Sequence, residues 1–187
     1  MSERSPEHDW QIITRIAAGD REALTDLYAR YRQSLFRFLL HLTPDYGLAE
    51  ELLQDTLLAV WRSAGSFQGR SSVQTWLLGI ARRQAHNTLR QRGLPLADES
   101  ELLALPTTDP EPEALTLARA THEELAAAVN RLAPIHREIL ALTFVHELSY
   151  PELAQVLGIP VGTVKSRLSN AKRALRLLLK SREEAER

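Results

Sequence analysis

The sequence predicts an all-α protein with two small helical domains, joined by an acidic, proline-containing linker, and a helix-turn-helix in the second domain. Apolar residues recur at spacings of three and four over most of the chain, which is the period of an amphipathic helix. No stretch alternates in the manner of a half-buried strand. Four of the nine prolines lie in 94–113, where the helical period is lost. We therefore assign the domains to 10–93 and 114–180 and the linker to 94–113.

Composition narrows the class of protein. The chain of 187 residues is 44% hydrophobic, which is enough to form a core, and it contains no Cys. Disulfides, thiolate metal sites and cysteine nucleophiles are thereby excluded. No run approaches the roughly 18 apolar residues that span a membrane, and the first residues lack the apolar segment of a signal peptide. We expect a cytoplasmic protein with no direct membrane contact, no metal site and no cofactor.

Charge is distributed unevenly along a chain whose formal net charge is −1. The segments 70–93 and 161–180 carry five and six Lys or Arg, respectively, and no Asp or Glu. By contrast, 94–130 has eight Asp or Glu against one Arg, and 45–55 has four acids and no Lys or Arg. Blocks of opposite sign indicate separate surfaces with separate partners.

Four predicted helices account for the first domain, after a loose arm at 1–9. The first helix ends at Gly19, and Asp20 caps the long amphipathic helix that follows it. The helices are placed at 11–18, 21–43, 47–64 and 73–91. A loop at 66–72 separates the last two, and one of its serines caps the fourth helix.

The third helix has an outward face with a leucine at its centre. A rotation of about 100° per residue places one set outward, namely Glu51, Gln54, Asp55, Leu58 and Arg62. An association surface needs an apolar centre inside a polar rim, which Leu58 would supply. A solvated face with one stray leucine fits the pattern equally well. The residues alone leave both interpretations open.

The loop 66–72 and the fourth helix indicate binding of single-stranded or distorted nucleic acid. One stripe of the helix contains Thr75, Gly79, Arg82, Arg83, His86 and Arg90, with Asn87 beside it. Arginines can follow a phosphate backbone, and Phe67 in the loop offers a surface on which bases stack. His86 fits a surface histidine better than a metal ligand, because no second His or carboxylate lies at ligand spacing.

The second domain ends in two helices joined by a tight turn. Helices at 114–132 and from Pro134 onward precede this pair. The first helix of the pair starts at Ser149, with Glu152 as its capping-box partner. It ends at Gly158, where a positive φ is tolerated, and the second helix begins three residues later.

The last helix combines an apolar stripe with a polar face and a basic edge. The stripe consists of Val164, Leu168, Ala171, Leu175 and Leu178. Opposite it lie Gly162, Ser166, Ser169, Asn170 and Arg173, with Lys165, Lys172 and Arg176 on one flank and Arg167 on the other. Such a helix suits the major groove of duplex DNA. A basic, solvated helix is the alternative, but it leaves the capped helix and tight turn unexplained.

Three segments together resemble the extracytoplasmic-function (ECF) sigma factors, small initiation subunits of bacterial RNA polymerase. They are AEELLQDTLLAVW (49–61), FQGRSSVQTWLLGIARRQAHNTLRQR (67–92) and LAPIHREILALTFVHELSYPELAQVLGIPVGTVKSRLSNAKRAL (132–175). The resemblance spans about residues 10–180, and the last segment is specific for the family's second domain. It implies an alternative sigma factor that directs promoter recognition, promoter opening and transcription initiation, and that is not an enzyme.

The resemblance also implies partners and contact residues. The partners are core RNA polymerase, promoter DNA and an anti-sigma factor, which in this family is often membrane-tethered and sometimes zinc-binding. Polymerase contacts would fall on Glu51, Gln54, Asp55, Leu58 and Arg62, which favours the association interpretation of that face. Non-template-strand contacts at the minus-ten element would come from Phe67, Gly69, Arg70, Ser71, Ser72, Thr75, Arg82, Arg83, His86, Asn87 and Arg90. At the minus-thirty-five duplex, Ser166, Ser169 and Asn170 would read bases, while Thr163, Lys165, Arg167, Lys172 and Arg173 would contact mostly phosphates.

Two other classes of protein compete with a sigma factor. A stand-alone helix-turn-helix regulator would bind duplex DNA by itself and would not depend on polymerase. An enzyme acting on nucleic acid needs clustered carboxylates or a nucleophile with its base. The acids of this chain lie instead in a linker and on one helix face, which disfavours the enzyme.

Overall fold

A computed structural model describes residues 6–43, 45–94 and 121–185, and these form helices and turns with no strand. The all-α prediction is therefore confirmed for the described residues. They divide into two compact units, one built mainly from residues up to Leu94 and the other from the helices after residue 121. Residues 95–113 of the predicted linker and 114–120 of the predicted next helix lie outside the described residues. No helix in the described ranges is long and apolar enough to cross a membrane.

The first unit is a bundle of helices around one apolar core. Its helices are α1 (Pro6–Ala17), α2 (Arg21–Leu42), α3 (Tyr46–Ser63) and α4 (Val73–Gln91), with a 3₁₀ turn at Ala64–Ser66. Side chains from α2, α3 and α4 fill the centre, among them Phe38, Leu52 and Leu77, which are fully buried. The predicted cap of α2 is confirmed, because the Asp20 carboxylate accepts hydrogen bonds from two backbone N–H groups of the first turn.

The first helix begins earlier than predicted, at Pro6. Proline fits the first helical position because its ring presets φ and its missing N–H would have no partner there. Glu7 and Asp9 lie in the first turn, where the helix dipole favours acids. The predicted loose arm is therefore wrong for residues 6–9, and the signals for a helix start were present in the sequence.

Asp9 links α1 to α2 through an ion pair and a hydrogen bond. Its carboxylate lies 2.8 Å from Nε of Arg30 and accepts a hydrogen bond from the Tyr31 hydroxyl. Burial, reinforced by the hydrogen bond to Asp9, raises the pKa of Tyr31 above its ordinary value. Ile12 and Ile16 are buried on the same side of the helix. Together these contacts fix the rotation of α1 about its own axis.

Replacing Tyr31 with Phe is expected to destabilise the protein by about 1 kcal/mol, because a hydrogen bond to a largely buried carboxylate is lost. The folded pKa of Tyr31 lies above its unfolded value, so the hydroxyl stabilises the fold fully below a pH of about 10. That stabilisation is lost as the pH rises toward the folded pKa. In urea unfolding, the difference between the wild type and Tyr31→Phe should stay constant from about pH 7 to 9 and shrink above about pH 10. Tyr28→Phe is the control, and a Tyr31→Phe difference that stays constant to about pH 11 would contradict the prediction.

Among the described residues, the second unit is formed by four helices, of which the last is the longest, with 25 residues. They are α5 (His122–Asn130), α6 (Pro134–Leu140), α7 (Tyr150–Leu157) and α8 (Val161–Ala185), and a π-helical turn at Ala141–Val145 continues α6. The last helix packs against α5 and α6. The predicted apolar stripe of α8 is buried, except for Leu178, which is half-buried.

The capping box and the glycine predicted from the sequence are present at the two ends of α7. The Glu152 carboxylate accepts hydrogen bonds from the Ser149 N–H at 3.0 Å and from its hydroxyl at 2.7 Å. Gly158 has a φ of 70°, which only glycine adopts without strain. The N–H of Ile159 donates to the Ala154 carbonyl at 3.2 Å and closes the end of α7. The helix-turn-helix expected from the sequence is therefore present.

Candidate polymerase and nucleic-acid interface

The outward face of α3 has the exposure that the sequence predicts. Leu58 is 52% exposed, although it lies in the middle of a helix whose opposite side is core. The predicted neighbours Glu51, Gln54 and Arg62 are exposed, and Asp55 is half-buried. An apolar side chain in a polar rim is the composition of an association surface.

One residue of this face already has a partner within the first unit. Both carboxylate oxygens of Glu51 lie 2.7 Å from Nη2 of Arg92, which follows α4. Both side chains are about half exposed, so the ion pair is screened by solvent and contributes little to stability. A partner that contacts the Glu51 carboxylate therefore meets it next to the Arg92 guanidinium.

Next to this face is an aromatic groove that the sequence reasoning missed. It has a volume of about 470 Å³ and lies between α2 and α3. Tyr28, Phe36 and Tyr46 line it, with Arg32 over the Tyr28 ring and Gln54 at the side shared with the outward face of α3. Tyr28 is half-buried and forms a wall of the groove. Its spacing of four from Arg32 was the available signal.

A helix cap at Ser72 and a positive φ at Gly69 set the conformation of the loop after α3. The Ser72 hydroxyl accepts a hydrogen bond from the Thr75 N–H at 3.1 Å and caps α4. Gly69 has a φ of 66°. Gly69, Arg70 and Ser72 are exposed and Ser71 is half-buried, so the loop presents backbone and small polar groups to a ligand.

Thr75 is not available as a nucleic-acid contact, which corrects the prediction from the sequence. Its side chain is buried, and its hydroxyl lies 2.7 Å from that of Ser72. The helical stripe that contains Thr75 faces outward only beyond the first turn of α4. In the first turn, the same stripe faces the loop that precedes the helix.

The remaining stripe of α4 forms a basic, accessible surface. Arg83, Asn87 and Arg90 are exposed, and Arg82 and His86 are half-buried. These groups lie beyond the first turn of α4, since Arg82 follows Val73, the first residue of the helix, by nine positions. The loop and the arginines are therefore presented by one helix and the segment that leads into it.

On α8 the accessible residues are the small polar ones and most of the cations. Thr163, Lys165 and Ser169 are exposed, while Ser166, Lys172 and Arg173 are half-buried. Two cations lie over aromatic rings: Lys165 over Tyr150, with Nζ 5.9 Å from the ring centroid, and Lys172 over Phe144 at 5.8 Å. These contacts hold each ammonium group over the face of an aromatic ring.

Two predicted DNA contacts on α8 are wrong, because their side chains are interior. Arg167 is 2% exposed and Asn170 is 6% exposed. Each directly precedes a residue of the buried stripe, Leu168 or Ala171. On a helix that packs against two others, positions at the margin of the stripe are enclosed as well. Of the residues predicted to read bases on this helix, only Ser166 and Ser169 are accessible.

Comparison with known proteins identifies these two units. Residues 27–94 match the family described as Sigma-70 region 2, and residues 122–175 match Sigma-70, region 4. The region 2 match lies in the first unit and the region 4 match in the second. The two units are therefore the domains of a sigma-70-type protein.

Full-length relatives narrow the class to one family. The ECF RNA polymerase sigma factor RpoE of Cereibacter sphaeroides is 30% identical over 179 residues, covering 94% of this chain and 98% of the relative. RNA polymerase sigma factor YlaC of Bacillus subtilis is 32% identical over 168 residues, covering 88% and 96%. The chain belongs to the ECF sigma factors, so it is a subunit that works with RNA polymerase and is not an enzyme.

A solved structure supports the same assignment. The sigma factor RpoE from Bartonella quintana, determined in complex with the anti-sigma factor NepR, superposes with a TM-score of 0.63 at 27% identity, covering 83% of this chain and 96% of that one. CnrH, solved in complex with the cytosolic domain of CnrY, superposes with a TM-score of 0.66 at 24% identity, covering 92% of this chain and 97% of that one, and shows the shared fold.

Proposed function

We propose that this sigma factor contacts promoter and polymerase through three surfaces. The outward face of α3 binds core polymerase, the loop 66–72 with the arginines of α4 binds the non-template strand of the minus-ten element, and α8 reads the minus-thirty-five duplex. The observation that carries the proposal is the exposed Leu58 at the centre of a polar face, in the same unit as the loop and basic surface of α4. This arrangement couples polymerase binding to strand capture within one rigid bundle.

The polymerase surface consists of the α3 face and, beside it, the aromatic groove. Leu58 supplies the apolar centre, and Tyr46 at the groove is exposed. Aromatic and leucine side chains surrounded by polar groups are the usual anchors of protein–protein interfaces. A partner helix that covers Leu58 can reach the groove, because Gln54 borders both.

The strand surface suits unpaired DNA better than duplex. A loop with a positive φ exposes backbone groups that can bond to the edge of a base turned out of the stack. Exposed Arg70, Arg83 and Arg90 then neutralise phosphates along the strand. This surface does not need a helix in the major groove, because the sequence is read from unpaired bases.

The duplex surface is the exposed face of α8. Ser166 and Ser169 are short enough for the helix to approach base edges closely. Lys165, Thr163 and Arg173 flank them and can contact phosphates, which fixes the register of the helix in the groove. Since serine makes fewer contacts than arginine or asparagine, each base pair is read weakly.

Base reading and phosphate anchoring should separate on this helix. Ser169→Ala should change the preference at one upstream base pair by about 1 kcal/mol. Lys165→Ala should weaken binding to every sequence and reduce the slope of log K against log salt by about one unit. Holoenzyme binding to a set of single-base-pair promoter variants, at several salt concentrations, measures both effects. A change of sequence preference in Lys165→Ala but not in Ser169→Ala would reverse our orientation of the helix.

We further propose that an anti-sigma factor holds this protein inactive. The Bartonella quintana relative was solved bound to such a partner. In this chain the α3 face and the aromatic groove are the exposed apolar surface that such a partner would cover, in competition with polymerase. A membrane tether or zinc site on the partner follows from the resemblance to the family. In this proposal, the sigma factor itself acts in the cytoplasm, where polymerase and promoters are found.

Run-off transcription with purified core polymerase, followed by mapping of the start sites, tests the proposed function. The expected result is a set of start sites preceded by shared elements near minus ten and minus thirty-five, absent with core polymerase alone. A protein that binds duplex DNA tightly by itself, and gives no transcript with core polymerase, would instead be a stand-alone regulator.

A further inference from the structure

The indole of Trp10, on α1, lies against the loop that the proposed function assigns to the minus-ten strand. An ideal Cβ built on Gly69 would be 2.7 Å from Cζ3 of Trp10, closer than real Cβ contacts. Gly69 therefore has to be glycine for two reasons, its positive φ and the indole against its α-carbon. The N-terminal helix thus forms part of the wall of this loop.

Trp10 is also the outer member of a row of three aromatic rings. Its ring centroid is 5.4 Å from that of Phe67, and Phe67 is 4.9 Å from Trp76, with interplanar angles of 43° in both pairs. Phe67 and Trp76 are half-buried, whereas Trp10 is 45% exposed. The row begins in the bundle and ends at the surface, beside Gly69.

The residues on both sides of Trp10 are held by contacts with α2 and the core. Asp9, the preceding residue, is held by Arg30 and Tyr31 of α2. Ile12 and Ile13, which follow it, are buried in the core. Because α1 is fixed on both sides of Trp10, the indole is presented to the loop as a preformed surface.

We propose that Trp10 stacks on an unpaired base of the non-template strand, next to the base held by the loop. The α1 helix is then part of the minus-ten reader. Every base has a π-face, so the contact favours an unstacked base over a paired one and discriminates weakly among the four bases. The inference rests on the proposed strand-binding role of the loop. It adds a specificity for single-stranded DNA that comes from outside the loop and α4.

The competing explanation is that Trp10 only supports the shape of the loop. Two substitutions separate the two roles. Trp10→Phe keeps an aromatic face, whereas Trp10→Leu keeps apolar support for Gly69 and removes the stacking surface. Phe144→Leu, which removes an exposed aromatic ring from the second unit, is the matched control. Circular dichroism and thermal unfolding of each free variant show whether it is folded.

The first measurement is the affinity of holoenzyme for a single-stranded minus-ten oligonucleotide, at saturating core polymerase. Stacking predicts that Trp10→Leu binds roughly tenfold or more weakly, while Trp10→Phe and the control bind within about threefold of the wild type. Equal affinities of Trp10→Leu and the wild type would overturn the proposal. Equal losses in Trp10→Leu and Trp10→Phe would also overturn it, because shape rather than stacking would then matter.

The second measurement detects contact directly. 5-Iodouracil is placed at successive positions of the oligonucleotide, and cross-links are mapped on wild-type holoenzyme by mass spectrometry. We expect a cross-link to Trp10 from a position adjacent to the one that cross-links to the loop. Cross-links to loop residues with none to Trp10 at any position would refute the stacking role alone. If the wild-type holoenzyme fails to bind the oligonucleotide at all, the proposed function itself fails.

Discussion

The Leu58→Glu protein is expected to lose most of its affinity for core RNA polymerase while keeping its fold. The substitution places a charge at the apolar centre of the α3 face, where loss of an anchor costs about 2 kcal/mol or more. That corresponds to roughly a thirtyfold or greater rise in Kd. Since Leu58 is 52% exposed, few core contacts are lost and the thermal midpoint should hardly change.

Leu177→Glu is the matched control for this experiment. Leu177 is 63% exposed, but it belongs to α8 in the second unit, so its substitution leaves the outward face of α3 unchanged. Binding of labelled variants to core polymerase, measured by fluorescence anisotropy, should show a large loss for Leu58→Glu and little for Leu177→Glu. Undiminished binding by a folded Leu58→Glu protein would remove α3 from the polymerase interface.

The second large effect is expected in stability rather than in DNA binding. Arg167→Ala should destabilise the second unit by about 3 kcal/mol, because the substitution removes both the polar interactions and the packing of a buried arginine. Arg167 is among the largest fully buried side chains of the described residues, on a helix that packs on α6, where Glu138 is also fully buried. We expect the thermal midpoint of this unit to fall by about 10 °C or more.

Lys165→Ala is the matched control, two residues earlier on the same helix. Lys165 is exposed, so its removal should leave the thermal midpoint unchanged and weaken promoter binding. Differential scanning calorimetry and promoter binding of both variants compare the two roles. If the Arg167→Ala protein is folded, has wild-type stability and binds every DNA sequence more weakly, Arg167 contacts phosphates as the sequence predicted.

The sequence by itself determined the class of fold and the limits of most helices. The predicted fourth helix coincides with α4, and Asp20, Ser72 and Gly158 occur at the helix ends where they were expected. These features are local: caps, turns and the 3.6-residue period depend only on neighbours in the chain. For the same reason, the exposed position of Leu58 could be predicted from the helical period alone.

The tertiary structure decided which polar residues are accessible. Thr75, Arg167 and Asn170 have the chemistry of DNA contacts, yet all three are buried. Helical periodicity gives the direction of a side chain but not what covers it, and cover comes from the loop over α4 and the helices packed against α8. Polar residues at the margin of an apolar stripe are therefore where such predictions fail.

Tertiary packing alone also brought Trp10 to the loop at Gly69. The two residues are far apart in the chain, and no local pattern relates a tryptophan in α1 to a glycine after α3. Their contact depends on how α1 is rotated, which Asp9 and its partners on α2 set. The sequence thus determined the helices and their caps, whereas the packing of distant helices determined which side chains form the strand-binding surface.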